Sequence, residues 1–456
     1  MKKMRPKTKA KGRSKTKAKV KAKGSARPAR PFRPAQPVCD ICPVAKECGA
    51  CSAIELPYAE QLAQKEKTVA RLFGPLVGDD CEFRPILGME EPFSYRNKIA
   101  SPFAPARGKS RQPHARGASS GPDARGKQGR RGKQAQREIR CGMYAAGTHR
   151  IVETEECPVE HPSGRRIIQA VRSLMLRYGV PPYDEDAATG FMRHCVVRVG
   201  HESGEVLVTL VTNDPDFKGG RNFARELLKR CPEITTVVQN VNERSTNAIL
   251  GDRERTLLGP GFILDTLCGL SFRISSHSFY QVNSTQTEVL YRTAIDAALE
   301  GGASRGATIV DAYCGTGTIG LAVAARGEDV RVVGVDSVEA AIRDARQNAA
   351  HNGIENAEFV VGDAGSFLRR YAAEGRRADV LMMDPPRAGS TEEFLEAAAG
   401  LAPERIVYIS CNPETQARDA TFLCDRGYRL RSIQPVDMFP HTLHVETVVL
   451  MSRKDT

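Results

Sequence analysis

The chain contains no apolar run that approaches the roughly 18 residues needed to cross a membrane as a helix, which argues against an integral membrane protein. No apolar stretch follows its basic start, so that start does not read as an export signal. There are no internal repeats. Residues 1–35 hold no acid at all, against fifteen Lys or Arg. Together these absences point to a soluble, cytoplasmic protein. The thirteen cysteines then sit in a reducing compartment, where disulfides are not expected and clustered thiols indicate metal binding or catalysis.

The net charge of +13 is unevenly spread. Residues 105–140 carry eleven Lys or Arg against Asp123 and Glu138, so these two basic stretches leave the remainder of the 456 residues net acidic. Rich in Gly, Pro and Ala, such segments bury too little apolar surface to fold alone, and they attract phosphate backbones without sequence specificity. A solubilising tail is the plain alternative. Two basic segments on an acidic body favour nucleic acid.

Along the chain, residues 1–37 read as a disordered basic tail and residues 38–83 as a cysteine cluster with a linking helix, about Tyr58 to Phe73. Residues 84–280 form a mixed α+β region, interrupted by the basic insert 105–140. It contains β-rich runs at Val196–Val199, Val206–Val211 and Thr235–Val241, with one helix near Gly220–Lys229. From Gln281 to the end, strands alternate with helices in the manner of a doubly wound α/β sheet.

Thr308–Tyr313 reads as a buried strand running into Cys314-Gly315-Thr316-Gly317-Thr318-Ile319-Gly320 and an Ala-rich helix. Glycines here allow a tight turn and close approach to a ligand. The next strand ends in Asp336, placed to accept from ribose hydroxyls, and a further one leads to Asp363, at a spacing suited to an adenine edge. NAD and S-adenosylmethionine both fit the glycine pattern. Asp311, an acid inside the strand ahead of the glycines, favours the methyl donor because it would face a sulfonium or amino group.

Three later strands end in Asp384-Pro385-Pro386-Arg387, in Cys411-Asn412-Pro413 and, at the final strand's start, in His444-Val445-Glu446. A thiol and two carboxylates facing a methyl donor suit one chemistry. Carbon 5 of uracil becomes nucleophilic only after a thiolate adds to carbon 6, and a base must then remove the C5 hydrogen. Cys411 is the candidate nucleophile and Glu446 the candidate base, with Asp384 orienting the base or nearby cofactor atoms. A lone strand-end cysteine is more often an inert buried thiol; Asn-Pro after it and two partnering carboxylates weigh against that here.

The segments Ser94-Tyr95-Arg96-Asn97-Lys98, Phe279-Tyr280-Gln281-Val282-Asn283, Asp311–Gly317, Asp384–Arg387, Ser410–Pro413 and His444–Thr447 together resemble the RNA uracil-C5-methyltransferases, from about residue 39 onward. The resemblance implies a C-terminal Rossmann-like class I methyltransferase domain over 281–456 and a central RNA-binding domain. It also implies catalysis by Cys411 and Glu446, and S-adenosylmethionine contacts from Gln281, Tyr313, Thr318, Asp336, Asp363 and Asp384. Two departures stand out. Many ribosomal members carry a small β-barrel RNA-binding module before the cysteine cluster, which the basic tail does not supply, and the insert 105–140 falls where the family is usually short.

Read alone, Cys39, Cys42, Cys48 and Cys51 could close a tetrahedral zinc site. The resemblance instead implies a structural [4Fe–4S] cluster on Cys42, Cys48, Cys51 and Cys157, leaving Cys39 surplus. Such a cluster points to 23S rRNA as substrate, because transfer-RNA members of the family typically lack it. The expected enzyme is a monomer whose tail and insert touch RNA phosphates. The rival readings are a tRNA enzyme of the same chemistry, an NAD-dependent oxidoreductase and a non-catalytic RNA-binding iron–sulfur protein.

Overall fold

The computed structural model describes residues 41–106, 138–300, 306–327 and 329–454. The expected tail 1–37, Cys39 and most of the basic insert lie outside these residues.

The larger sheet has eight strands, in the order Glu82–Phe83, Tyr428–Val436, Glu446–Arg453, Arg405–Ser410, Val380–Met383, Thr308–Ala312, Arg331–Asp336 and Ala357–Val361. All are parallel except Glu446–Arg453, which runs against both neighbours. Near-continuous Val, Ile and Leu runs suit parallel strands covered on both faces. Strand alternation sends Ile309, Val332, Val380, Met382 and Val407 into one core with the helix Ser284–Leu299. Val310, Val333, Leu381, Met383 and Tyr408 enter the other, where Val69 and Phe73 of the helix Tyr58–Phe73 pack. That helix, expected from sequence as a link, thus covers a face of the large sheet.

The second sheet has seven strands, in the order Ile151–Glu153, Ile139–Tyr144, Lys98–Pro105, Met192–Val199, Val206–Thr212, Ile234–Val241 and Arg253–Leu258. Only Val206–Thr212 and Ile234–Val241 are parallel, and the helix Gly220–Arg230 crosses between them. One face packs Ile99, Val197 and Val208 against this helix and against Pro162–Tyr178. On the other face, Leu207 and Val238 join the core beneath the hairpin Ile263–Leu267/Leu270–Ile274, so the two sheets share apolar contacts. Backbone bonds add to the join: Asn97 N–H donates to Val282 O at 2.8 Å, and its side chain donates to Gln281 O at 3.0 Å.

Among the described residues, no helix is long and apolar enough to cross a membrane.

Candidate active site

In the large sheet the strand order reverses between Thr308–Ala312 and Val380–Met383, and ligands of open α/β sheets sit outside such a switch point. The turn after Thr308–Ala312 is built for close approach. Tyr313, Gly315 and Gly317 all have positive φ, of 64°, 55° and 77°. A Cβ on Gly317 would lie 2.8 Å from the Phe359 ring, whereas one on Gly315 would meet nothing within 4 Å. Gly317 therefore serves packing, and Gly315 leaves open space over the loop. Asp336 braces the turn, accepting from Gly315 N–H at 3.0 Å and from Val338 N–H at 2.8 Å. Two oxygens offer about four lone-pair sites, so it retains capacity for a ligand hydroxyl.

Of the other expected cofactor residues, Thr318, Asp363 and Tyr313 lie at or beside this turn, and Gln281 lies at the junction with the second sheet. Thr318 begins the following helix, its hydroxyl 2.9 Å from Tyr291 Oη. Asp363 uses one oxygen to cap the helix Ala364–Ala373 through Ser366 N–H at 2.8 Å, and it lies close enough to Tyr313 to add to the rise that burial gives that phenol. Tyr313 packs on Phe394, with ring centroids 5.1 Å apart. Gln281 is half-buried at the junction with the second sheet.

The electrostatics of this turn choose between ligands. Asp311 is 3 % exposed, and its Oδ2 is buried with no hydrogen-bond partner. Burial and then the neighbouring Asp384 push its carboxyl up to about 7, and burial raises Asp384 to about 7 as well. Two enclosed acids beside a glycine loop repel a pyrophosphate and welcome a cation. The donor set suits S-adenosylmethionine, which carries a sulfonium and an ammonium, and opposes a dinucleotide.

The candidate reactive groups lie just beyond the end of an antiparallel ladder. Ser410 pairs with Thr447, Cys411 and Glu446 are the next residues on the two segments, and the Glu446 charge is felt at the Cys411 thiol. Asn412 stops the strand by capping the helix Pro413–Asp425, accepting from Glu414 N–H at 3.2 Å. Its amide also donates to Arg387 O at 3.0 Å, tying Cys411's turn to the Asp384–Arg387 loop. Burial pushes the Cys411 thiol up to about 11, with Glu446 and Asp384 adding and Arg387 opposing. Burial and then Asp384 push Glu446 up to about 8, and Arg387 again opposes. Arg387 is thus the cation set against the acids, and its guanidinium lies 3.3 Å from His444 Nδ1. Arg387 and His444 stand inside the family-like motifs of the sequence, where nothing local assigns them a role. An arginine after a strand-end Asp-Pro-Pro, in a loop otherwise facing acids, was the available signal.

The expected metal residues lie elsewhere. Cys42, Cys48, Cys51 and Cys157 line one pocket together with Arg96. Burial drives the Cys51 thiol up to about 12; Cys157, Cys48 and Cys42 add to this and Arg96 opposes. Among the described residues, no group of three or more His, Cys, Asp or Glu is arranged to hold a metal ion. The four sulfurs share a pocket, and nothing more about metal is shown there.

Glycine turn, switch point and facing acids define a class I S-adenosylmethionine-dependent methyltransferase. A family model described as tRNA (Uracil-5-)-methyltransferase matches residues 267–454. An uncharacterized RNA methyltransferase of Halalkalibacterium halodurans is 37% identical over 412 residues, covering 90% of this chain and 82% of that protein. Another, from Listeria monocytogenes, is 38% identical over 405 residues, 89% and 82% of the two chains. The crystal structure of Pyrococcus abyssi tRNA (uracil-54, C5)-methyltransferase with S-adenosyl-L-homocysteine superposes with a TM-score of 0.67 at 28% identity, covering 88% of this chain and 85% of that one. The chain belongs to the RNA uracil-5-methyltransferase family. It is an RNA methyltransferase that uses S-adenosylmethionine, which sets the oxidoreductase alternative aside.

Proposed function

We propose that this enzyme methylates carbon 5 of a uridine in 23S rRNA through a covalent adduct between Cys411 and carbon 6. What supports the chemistry is that Glu446, Asp384 and Arg387 all lie close enough to Cys411 to act on its thiol, next to the ladder end where Ser410 pairs with Thr447.

The Cys411 thiolate adds to C6, and the C5=C6 pair moves onto C5 and the C4 oxygen. S-adenosylmethionine supplies a methyl group on an electrophilic sulfonium. Carbon 5 takes that methyl as the methyl–sulfur bond breaks, and the Glu446 carboxylate then removes the C5 proton. The released pair re-forms C5=C6 and expels the thiolate. Asp311 and Asp384 hold the cationic ligand, Asp336 and Asp363 address ribose and adenine, and Gln281, Tyr313 and Thr318 complete its walls. Arg387 offsets the acids and steadies charge developing on the base. The target uridine must leave its stack to reach Cys411.

Cys42, Cys48, Cys51 and Cys157 suit a [4Fe–4S] cluster: the four line one pocket, and the other three thiols add to the rise of the Cys51 thiol, which a bound cationic core would offset. Its role is structural, tying residues 41–52 to the second sheet. Anaerobic purification should give a brown protein containing iron and sulfide; a colourless, zinc-containing one overturns this. The basic tail and insert supply phosphate contacts in place of a β-barrel module. Deleting both should weaken RNA binding at moderate salt, and unchanged affinity counts against it. The enzyme acts as a cytoplasmic monomer.

A tRNA substrate is the second reading, favoured by the pyrococcal tRNA enzyme, which covers 88% of this chain. The experiment incubates the protein with labelled methyl donor and, separately, ribosomal and transfer RNA from cells lacking it, then maps labelled nucleosides. Label in 5-methyluridine of 23S rRNA is expected, and label in tRNA alone selects the second reading. Label on another nucleoside, or label that persists with Cys411→Ala, overturns the mechanism.

A further inference from the structure

The segment Asp437–Thr442 joins the last two strands of the large sheet and leads directly to His444 and Glu446. Four consecutive carbonyls in it accept hydrogen bonds from four different parts of the chain. Met438 O accepts from Asn283 Nδ2 at 3.0 Å, and Phe439 O from Lys65 Nζ at 3.1 Å. Pro440 O accepts from Tyr95 Oη at 3.1 Å, and His441 O from Ala53 N–H at 2.9 Å.

Side chains pin the segment as firmly. Asp437 accepts from Lys65 Nζ at 2.6 Å and from Tyr58 Oη at 2.7 Å, and both members of the Lys65–Asp437 pair have wholly buried side chains. Gln61 Oε1 accepts from His441 N–H at 2.8 Å, and the Gln61 amide lies 3.3 Å from His441 Nδ1. His441 stacks on Phe93 and holds φ at 67°, a left-handed conformation that a residue with a side chain keeps only where its surroundings insist. Beyond it, Leu443 N–H donates to Ser52 Oγ at 3.2 Å.

A buried ion pair is costly to desolvate, and an apolar pair of similar size would stabilise the fold at least as well. What the pair adds here is a fixed position. We propose that Lys65 and Tyr95 are positioning residues for removal of the C5 proton, acting through the Asp437–Thr442 segment on Glu446. This rests on the reading of Glu446 as the base. Neither residue reaches the reacting atoms; each holds the shelf from which the last strand starts. Proton transfer needs the carboxylate within hydrogen-bond reach, and a misplacement of about 1 Å costs about 100-fold in rate.

The test uses the full chain carrying Lys65→Met with Asp437→Asn, which removes both charges together so that neither is left buried alone. A second variant, Tyr95→Phe, keeps its ring and loses one bond. The double variant should lower kcat about 10- to 100-fold with KM for RNA within about twofold, and its protein–RNA adduct should persist on denaturing gels. Tyr95→Phe should show a smaller kcat loss with the same split. Glu446→Gln is the reference and should trap the adduct most strongly. Wild-type kcat and adduct turnover in every variant that folds overturn the proposal, and Tyr95→Phe decides alone if the double variant does not fold. Raised KM at unchanged kcat also overturns it. A Glu446→Gln enzyme that resolves its adduct normally overturns the assignment of the base itself, whatever the other variants do.

Discussion

Cys411 and the cysteines of the N-terminal pocket share a side chain and little else. Cys411 is a single thiol at a strand end, raised by burial and by two carboxylates, with Arg387 opposing. Cys51 is raised by burial and by three other thiols, with Arg96 opposing. Acid neighbours supply a thiol with proton acceptors, whereas thiol neighbours supply only more negative charge once ionised. The first environment suits covalent chemistry that forms and resolves an adduct. The second would be relieved by the cationic cluster proposed for it. Sulfur chemistry in this chain is thus decided by what surrounds the sulfur.

The comparison breaks most sharply at Cys411. Cys411→Ala should lower methyl transfer by about 10⁴-fold or more while metal content stays unchanged, checked by labelled transfer and elemental analysis. Removing the proposed proton acceptor comes next. Glu446→Gln should lower turnover by about 10²- to 10⁴-fold, with the adduct visible by mass spectrometry. The wild-type pH profile follows from that group and Cys411 together. Thiolate and base must both be ionised, and burial holds the Cys411 thiol at about 11 and Glu446 at about 8 in the free enzyme. Thus kcat/KM should fall about tenfold per unit as pH drops below about 11 and about a hundredfold per unit below about 8.

On the other side of the comparison, Cys51→Ser should lose the proposed cluster and melt lower, by at most about 2–4 °C per kcal/mol lost in a chain of this size, yet still form the Cys411 adduct when folded. The smallest effect concerns Asp311. Its folded value, about 7, lies above that of a free carboxyl, so its stabilising contribution is present at low pH and lost as pH rises towards 7. Asp311→Asn should therefore gain about 1–3 kcal/mol over wild type at pH 8 compared with pH 5, measured by urea denaturation, and should bind the methyl donor more weakly.

Local pattern was legible where one segment carried its own signal. The helix Tyr58–Phe73 and the strand starting at Thr308 stand where apolar spacing indicated. Gly220–Arg230 extends one residue beyond expectation, within ordinary fraying. The helix Pro162–Tyr178 is absent from the sequence expectations, although Ile167, Val171, Leu174 and Met175 repeat at helical spacing. A proline at its first position starts that helix, and Gly179, at φ 66°, ends it. The two-residue strand Glu82–Phe83 had no local signal, because it exists only by pairing with Ser432 and Ile433.

The sequence by itself determined the α/β class, the glycine turn, and which strand ends carry Asp384, Cys411 and Glu446. Each depends on residues near one another in the chain, where backbone conformation is chosen by local sterics and by the spacing of apolar groups. Only the tertiary structure decided that Cys411 lies near Glu446, that Arg387 is set against the acids, and that Lys65 meets Asp437 across 372 residues of chain. Pairing register, burial and the resulting charge balance arise when distant segments exclude water together, so they leave no trace in any one segment.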